Sequence, residues 1–236
     1  MNPYNSYNDP EGDWDEREDL SWNEFDWQRY LKEAGEEIRR FLSLYSNAPE
    51  GLNRIDEVAH LMGWDEEEWA RGDVFEEEDF SPAAESATRS YDGFPEGDEW
   101  DPYTLHQHPV YIVTKGLFDS LGNIWECYLK SYPGRATPHQ SWQYARNLNE
   151  GETNALMALQ ALDMGDYALA VCHLKQVLRT LNQSFTLLQQ TFSASVPGLR
   201  LLHKESCRRL FDLREVYLRV IQDCREEIEN HPSSED

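Results

Sequence analysis

"VPGLRLLHKESCRRLFDLREVYLRVIQDCREEIEN", residues 196–230, decides the fold. Pro197 and Gly198 mark a turn, and beyond them Leu199, Leu202, Leu210, Leu213, Tyr217, Val220, Ile221, Cys224 and Ile228 recur mostly at three- and four-residue steps. A strand would alternate every second residue, so this spacing predicts one long helix over 198–229 whose apolar stripe needs partners.

The partners lie upstream. In "HPVYIVTKGLFDSLGNIWECYLKSY" (108–132), Val110, Val113, Leu117, Leu121, Ile124, Trp125 and Tyr128 share one face and predict a helix over 109–131. Gly116 and Gly122 each lower helix propensity by about 1 kcal/mol relative to Ala, which suggests close helix contacts. "PGRATPHQ" (133–140) reads as a loop, followed by a short amphipathic piece around Trp142 and Tyr144 and then helices over 151–164 and 166–193. Four helices joined by short loops predict an antiparallel up-and-down bundle.

Nearer the N-terminus, "LSWNEFDWQRYLKEAGEEIRRFLSLYS" (20–46) predicts a helix over 22–45, with Ser21 and Glu24 as a capping box. Its stripe is Trp27, Leu31, Ala34, Ile38, Phe41, Leu42 and Tyr45. Pro49 and Gly51 interrupt the pattern, and Ile55, Val58, Ala59 and Met62 suggest a short second helix ending at Gly63, with a further start signal at Asp65 and Glu68. The expectation is an all-α protein with an acidic N-terminal helical hairpin over 21–71 and a helical bundle over 106–230. An extended acidic, aromatic-studded connector over 72–105 joins them, and composition predicts disordered tails over 1–20 and 231–236.

Within the bundle, "ALQALDMGDYALAVCHLKQVLRTLN" (158–182) resembles the middle of a tetratricopeptide repeat, in which a Gly-Asp-Tyr turn joins two antiparallel helices. Gly165, Asp166 and Tyr167 match the turn, Ala158 the first helix, and Ala170 and Leu174 the second. The resemblance covers one unit, about residues 152–182, with Asn182 where the family usually ends its second helix in proline.

Charge divides the chain. Residues 1–101 hold 30 Asp and Glu against 8 Lys and Arg, net −22, whereas residues 102–236 hold 15 against 13, net −2. An overall charge of −24 argues against nucleic acid as a ligand, because duplex affinity comes largely from cations displacing counterions. No apolar run approaches the roughly 20 residues that span a bilayer, and the first residues lack the pattern of a signal peptide, so a cytoplasmic protein is expected. Cys127, Cys172, Cys207 and Cys224 are widely spaced on helical segments and read as reduced thiols.

No catalytic signature stands out. A di-iron bundle site asks for two Glu-x-x-His motifs, and only Glu57 to His60 has that spacing, which makes these two residues weak metal candidates. His106, His108 and His139 with Asp101 could be combined into a zinc site, but "HQHP" reads more simply as a polar loop. Asp9, Glu11, Asp13 and Asp15 alternate like calcium ligands, yet Trp14 stands where the sharp turn needs glycine. Ser141 near His139 lacks a nucleophile elbow and a third partner.

What remains is a surface that binds other proteins. Residues 175–225 carry 9 Lys and Arg against 4 Asp and Glu, a basic region within an acidic chain. The expected function is therefore a non-enzymatic protein–protein interaction or scaffolding module without a cofactor, with a protein partner and a possible homodimer. Its expected contacts are Phe75, Phe80, Phe94 and Trp100 of the connector and Arg208, Arg209 and Arg214 of the bundle. Part of the connector is expected to lie against the last two helices. The alternatives are a metal-binding helical-bundle enzyme and an acidic mimic of nucleic acid that binds a basic protein.

Overall fold

The computed structural model describes residues 22–49, 51, 53–64, 105–191 and 197–230, and the described residues contain helices and no strand. They form α1 (Glu24–Asn47), α2 (Arg54–Met62), α3 (Pro109–Ser131), α4 (Pro138–Asp163), α5 (Tyr167–Thr191) and α6 (Pro197–Asn230), with a 3-10 turn at Leu105–Gln107 before α3. The expected tails over 1–20 and 231–236 lie outside the described residues, as does nearly all of the connector.

Helix α5 packs between α4 and α6, and α3 meets both α4 and α6, which closes a four-helix ring. Each helix turns its apolar stripe inward. Leu117, Leu121, Tyr128, Tyr144, Ala158, Val177, Leu210, Leu213 and Tyr217 are inaccessible to solvent. Helix α1 packs on the outside of α3, and α2 folds back on α1. Gly63 ends α2 in the left-handed region at φ 84°, and Gly165 makes the α4–α5 turn at φ 73°, a backbone that side chains disfavour.

Three expectations change. The helix expected over 151–164 begins at Pro138 and absorbs the piece around Trp142. Its start is a capping box in which Thr137 Oγ1 accepts from Gln140 N at 3.2 Å and Gln140 Oε1 accepts from Thr137 N at 3.0 Å, with Pro138 in the first turn. Second, α1 is capped by Asn23, whose Oδ1 accepts from Phe25 N and Asp26 N, while Asp26 receives the Asn23 N–H. The cap is thus Asn23 rather than Ser21, with Glu24 the first helical residue, and on α1 Tyr30 is buried whereas Trp27 and Leu31 are exposed. Third, the two glycines of α3 differ. A Cβ on Gly116 would sit 2.9 Å from the Phe41 ring, so its absence lets α1 approach, whereas one on Gly122 would meet nothing.

Gly151, inside α4, sits at a close contact between helices. A Cβ there would lie 2.8 Å from Thr180 Oγ1 and 3.1 Å from the Phe118 ring, so the glycine leaves room for side chains of α3 and α5 against α4. Gly151→Val is expected to destabilise the fold by about 1–3 kcal/mol through overpacking. Gly122→Ala, on an open face, is expected to stabilise it by about 1 kcal/mol. Urea unfolding of the two variants checks the pair, and equal signs would contradict this packing.

Candidate interaction surface

Helix α6 carries two seams. The inward one includes Leu210, Leu213, Tyr217, Val220 and Cys224, all buried. One residue further round, Arg200, Lys204, Cys207, Phe211, Arg214 and Leu218 follow one another at alternating steps of four and three, the spacing with which a helix presents a continuous line to a partner. Phe211 is 44% and Leu218 38% exposed, with Arg214 between them and Lys204 and Arg200 toward the helix start. The carboxylates nearest this line already have partners. Glu205 receives Arg208 at 3.1 Å and Arg209 at 2.6 Å, and Glu215 receives Arg219 at 3.4 Å.

The edge of the seam is set by the hairpin. Arg219 forms a two-pronged ion pair with Asp56 of α2. Deeper in, Tyr45 of α1 donates from its hydroxyl to Asp212 Oδ2 at 2.5 Å. Two guanidinium groups lie over its ring, Arg54 at 4.1 Å and Arg209 at 5.4 Å from the centroid. Arg54 also donates to the Tyr45 carbonyl, and Arg209 Nε donates to Ser120 of α3 at 2.7 Å. Burial raises the Asp212 carboxyl above its ordinary range, against the Tyr45 hydrogen bond and the charges of Arg54, Arg208 and Arg209, which lower it. The same burial, with the neighbouring Asp212 charge, pushes the Tyr45 hydroxyl well above its usual range, so it serves as a donor and not as a base. The cluster is a latch that ties α1 and α2 to α3 and α6.

This geometry redistributes the expected contacts. Arg209 is buried in the latch, Arg208 turns toward Glu205, and Arg214 stays in the outward seam. Phe75, Phe80, Phe94 and Trp100 lie outside the described residues. Reading missed Phe211 and Leu218, because the inward stripe alone accounted for the helix; the second line of the same spacing was the signal that could have found them.

The metal candidates do not converge. Glu57 and His60 are both exposed on α2, and among the described residues no three His, Cys, Asp or Glu side chains gather as a metal site. His108 caps α3 by accepting from Val110 N at 3.2 Å, His106 packs edge-on to Tyr30 and Tyr111, and His139 is exposed; Asp101 lies outside the described residues. Along the α3–α4 seam runs an open groove of about 720 Å³ over Phe118, Trp125 and Leu148. Two of its rim carboxylates are already paired, Glu126 with Lys130 at 2.7 Å and Glu152 with Lys115. Cys207 Sγ lies 3.4 Å from His203 Nε2, but burial raises its thiol above the ordinary value, which opposes the thiolate a nucleophile needs.

Fold and surface together define an all-α helical-bundle protein with an outward apolar and basic seam. No protein-family model matches the chain, and neither a characterised protein nor a solved structure shows significant similarity to it. No described helix is long and apolar enough to cross a membrane.

Proposed function

We propose that this protein is a non-enzymatic protein–protein interaction module of the cytoplasm, in which the four-helix ring is a rigid support and the outward seam of α6 is the docking face. The observation that carries this reading is the pair Phe211 and Leu218, exposed at a seven-residue interval and divided by Arg214. Apolar side chains beside Arg214, with Lys204 and Arg200 further along the same line, provide both anchors and a charge preference, and they select a partner segment that is acidic and bears aromatic or aliphatic side chains. The tetratricopeptide-like stretch over 152–182 belongs, in this reading, to the support.

The test is crosslinked capture from the native cell, read by mass spectrometry, with the full chain, with Phe211→Asp combined with Leu218→Asp, and with residues 73–103 deleted. The double variant is expected to lose the captured partner by about tenfold or more, the scale of losing hot-spot contacts, while its helical signal is unchanged. A partner held equally by wild type and double variant would contradict the proposed docking face.

A further inference from the structure

The segment that fits the α6 seam best by chemistry is in the same chain. Residues 72–103 hold eleven Asp and Glu against one Arg, with Phe75, Phe80, Tyr91, Phe94, Trp100 and Tyr103 set among them. Their order also matches: Phe75 and Phe80 bracket Glu76, Glu77, Glu78 and Asp79, as Phe211 and Leu218 bracket Arg214. Glu215, the carboxylate beside Arg214, is paired with Arg219, so carboxylates set between apolar anchors meet a cation between apolar anchors, which gives attraction.

Position allows it. The chain leaves the described residues at Trp64, directly after α2, whose Asp56 is paired with Arg219 at the edge of the seam. It returns at Leu105, in the turn packed on α1, α3 and α4. The 40 residues between can reach about 130 Å when extended, whereas the seam from Arg200 to Leu218 is about 27 Å long. Tethering raises the local concentration of such a segment to about the millimolar range, so even weak contacts would be populated. A chain of net charge −24 repels a second copy, which favours a contact within one molecule.

We infer that the α6 seam is occupied, when no partner is bound, by the chain's own residues 72–103. The inference rests on the reading of the seam as a docking face, and an external partner then competes with this internal segment.

A photoreactive benzoylphenylalanine is placed at Leu218, and in a second preparation at Phe211, of the full chain. Normal and ¹⁵N-labelled chains are mixed, irradiated and mapped by mass spectrometry. Adducts to 72–103 within one isotopic chain are expected, falling about fivefold or more in 1 M salt and in Arg214→Glu, as screening of a surface charge contact requires. Adducts that join the two isotopic chains would assign the seam to a second copy and overturn the inference. Adducts elsewhere, or none from either position, would overturn it as well. If the inference fails while capture by the seam persists, the docking face stands without its internal occupant; if both fail, the face itself is wrong.

Discussion

Asp212→Ala is expected to destabilise the protein by about 1–3 kcal/mol, because it removes a buried hydrogen-bonding group and leaves its partner unsatisfied. Asp212 is only 8% exposed and Arg54 only 3%, and the Tyr45 hydroxyl would lose its acceptor in the same step. Asp212→Asn keeps an acceptor for Tyr45 and is expected to cost less. It also carries a distinct pH signature. Burial raises the folded carboxyl above its unfolded value near 3.9, so the folded state binds the proton more tightly. The contribution of Asp212 is then fully present below about pH 3.9 and is lost as pH rises through the raised folded value. Urea unfolding across this range should therefore show the advantage of wild type over Asp212→Asn shrinking as pH increases. A constant difference, or one that grows with pH, would show that the carboxyl is not shifted upward.

Phe41→Ala is expected to cost more, about 3–5 kcal/mol, the range for removing a fully buried aromatic ring. Phe41 is inaccessible to solvent, with Tyr45 at 5.8 Å and Trp64 at 6.1 Å between ring centroids, and it fills the space opposite Gly116 of α3. Since this ring holds α1 to the bundle, amide exchange should accelerate in α1 and α2 more than in α5 and α6. Gly116→Val should destabilise wild type by overpacking but cost little in the Phe41→Ala background, where the added methyl groups enter the vacated space. Additive losses in the double variant would argue against direct contact between these positions.

The amount of fold legible in the sequence followed from how each element is stabilised. The helices α3, α5 and α6 bury long stripes against several neighbours, and their periodicity set both their existence and, within two residues, their ends. Helix α4 is longer than its sequence indicates because the polar stretch between Tyr144 and Ala155 separates two short amphipathic pieces, whereas in the folded chain the missing side chain of Gly151 lets α3 and α5 approach there. In α1 the boundary shifted because several polar residues compete for the cap, and it is Tyr30, one turn before Ala34, rather than Trp27 that continues the buried stripe of Ala34, Phe41 and Tyr45. Charge was legible only as a sum. A run of arginines in 175–225 looks like a surface, yet Arg209 serves the Tyr45 latch while Arg214 faces outward, a distinction set by which neighbouring helix stands opposite each turn.

The claim at the centre of this account is the proposal that the seam of Phe211, Arg214 and Leu218 is a charge-steered docking face that an acidic segment of the same chain covers when no partner is bound. Carbene footprinting of the full-length protein in 0.1 M and 1 M salt reads the cover on those side chains directly, since the screening length falls from about 10 Å to about 3 Å between the two conditions. Labelling of Phe211 and Leu218 is expected to rise about threefold or more in high salt, while buried Leu213 and Tyr217 stay unlabelled in both. Equal labelling of Phe211 and Leu218 at the two salt concentrations would contradict it.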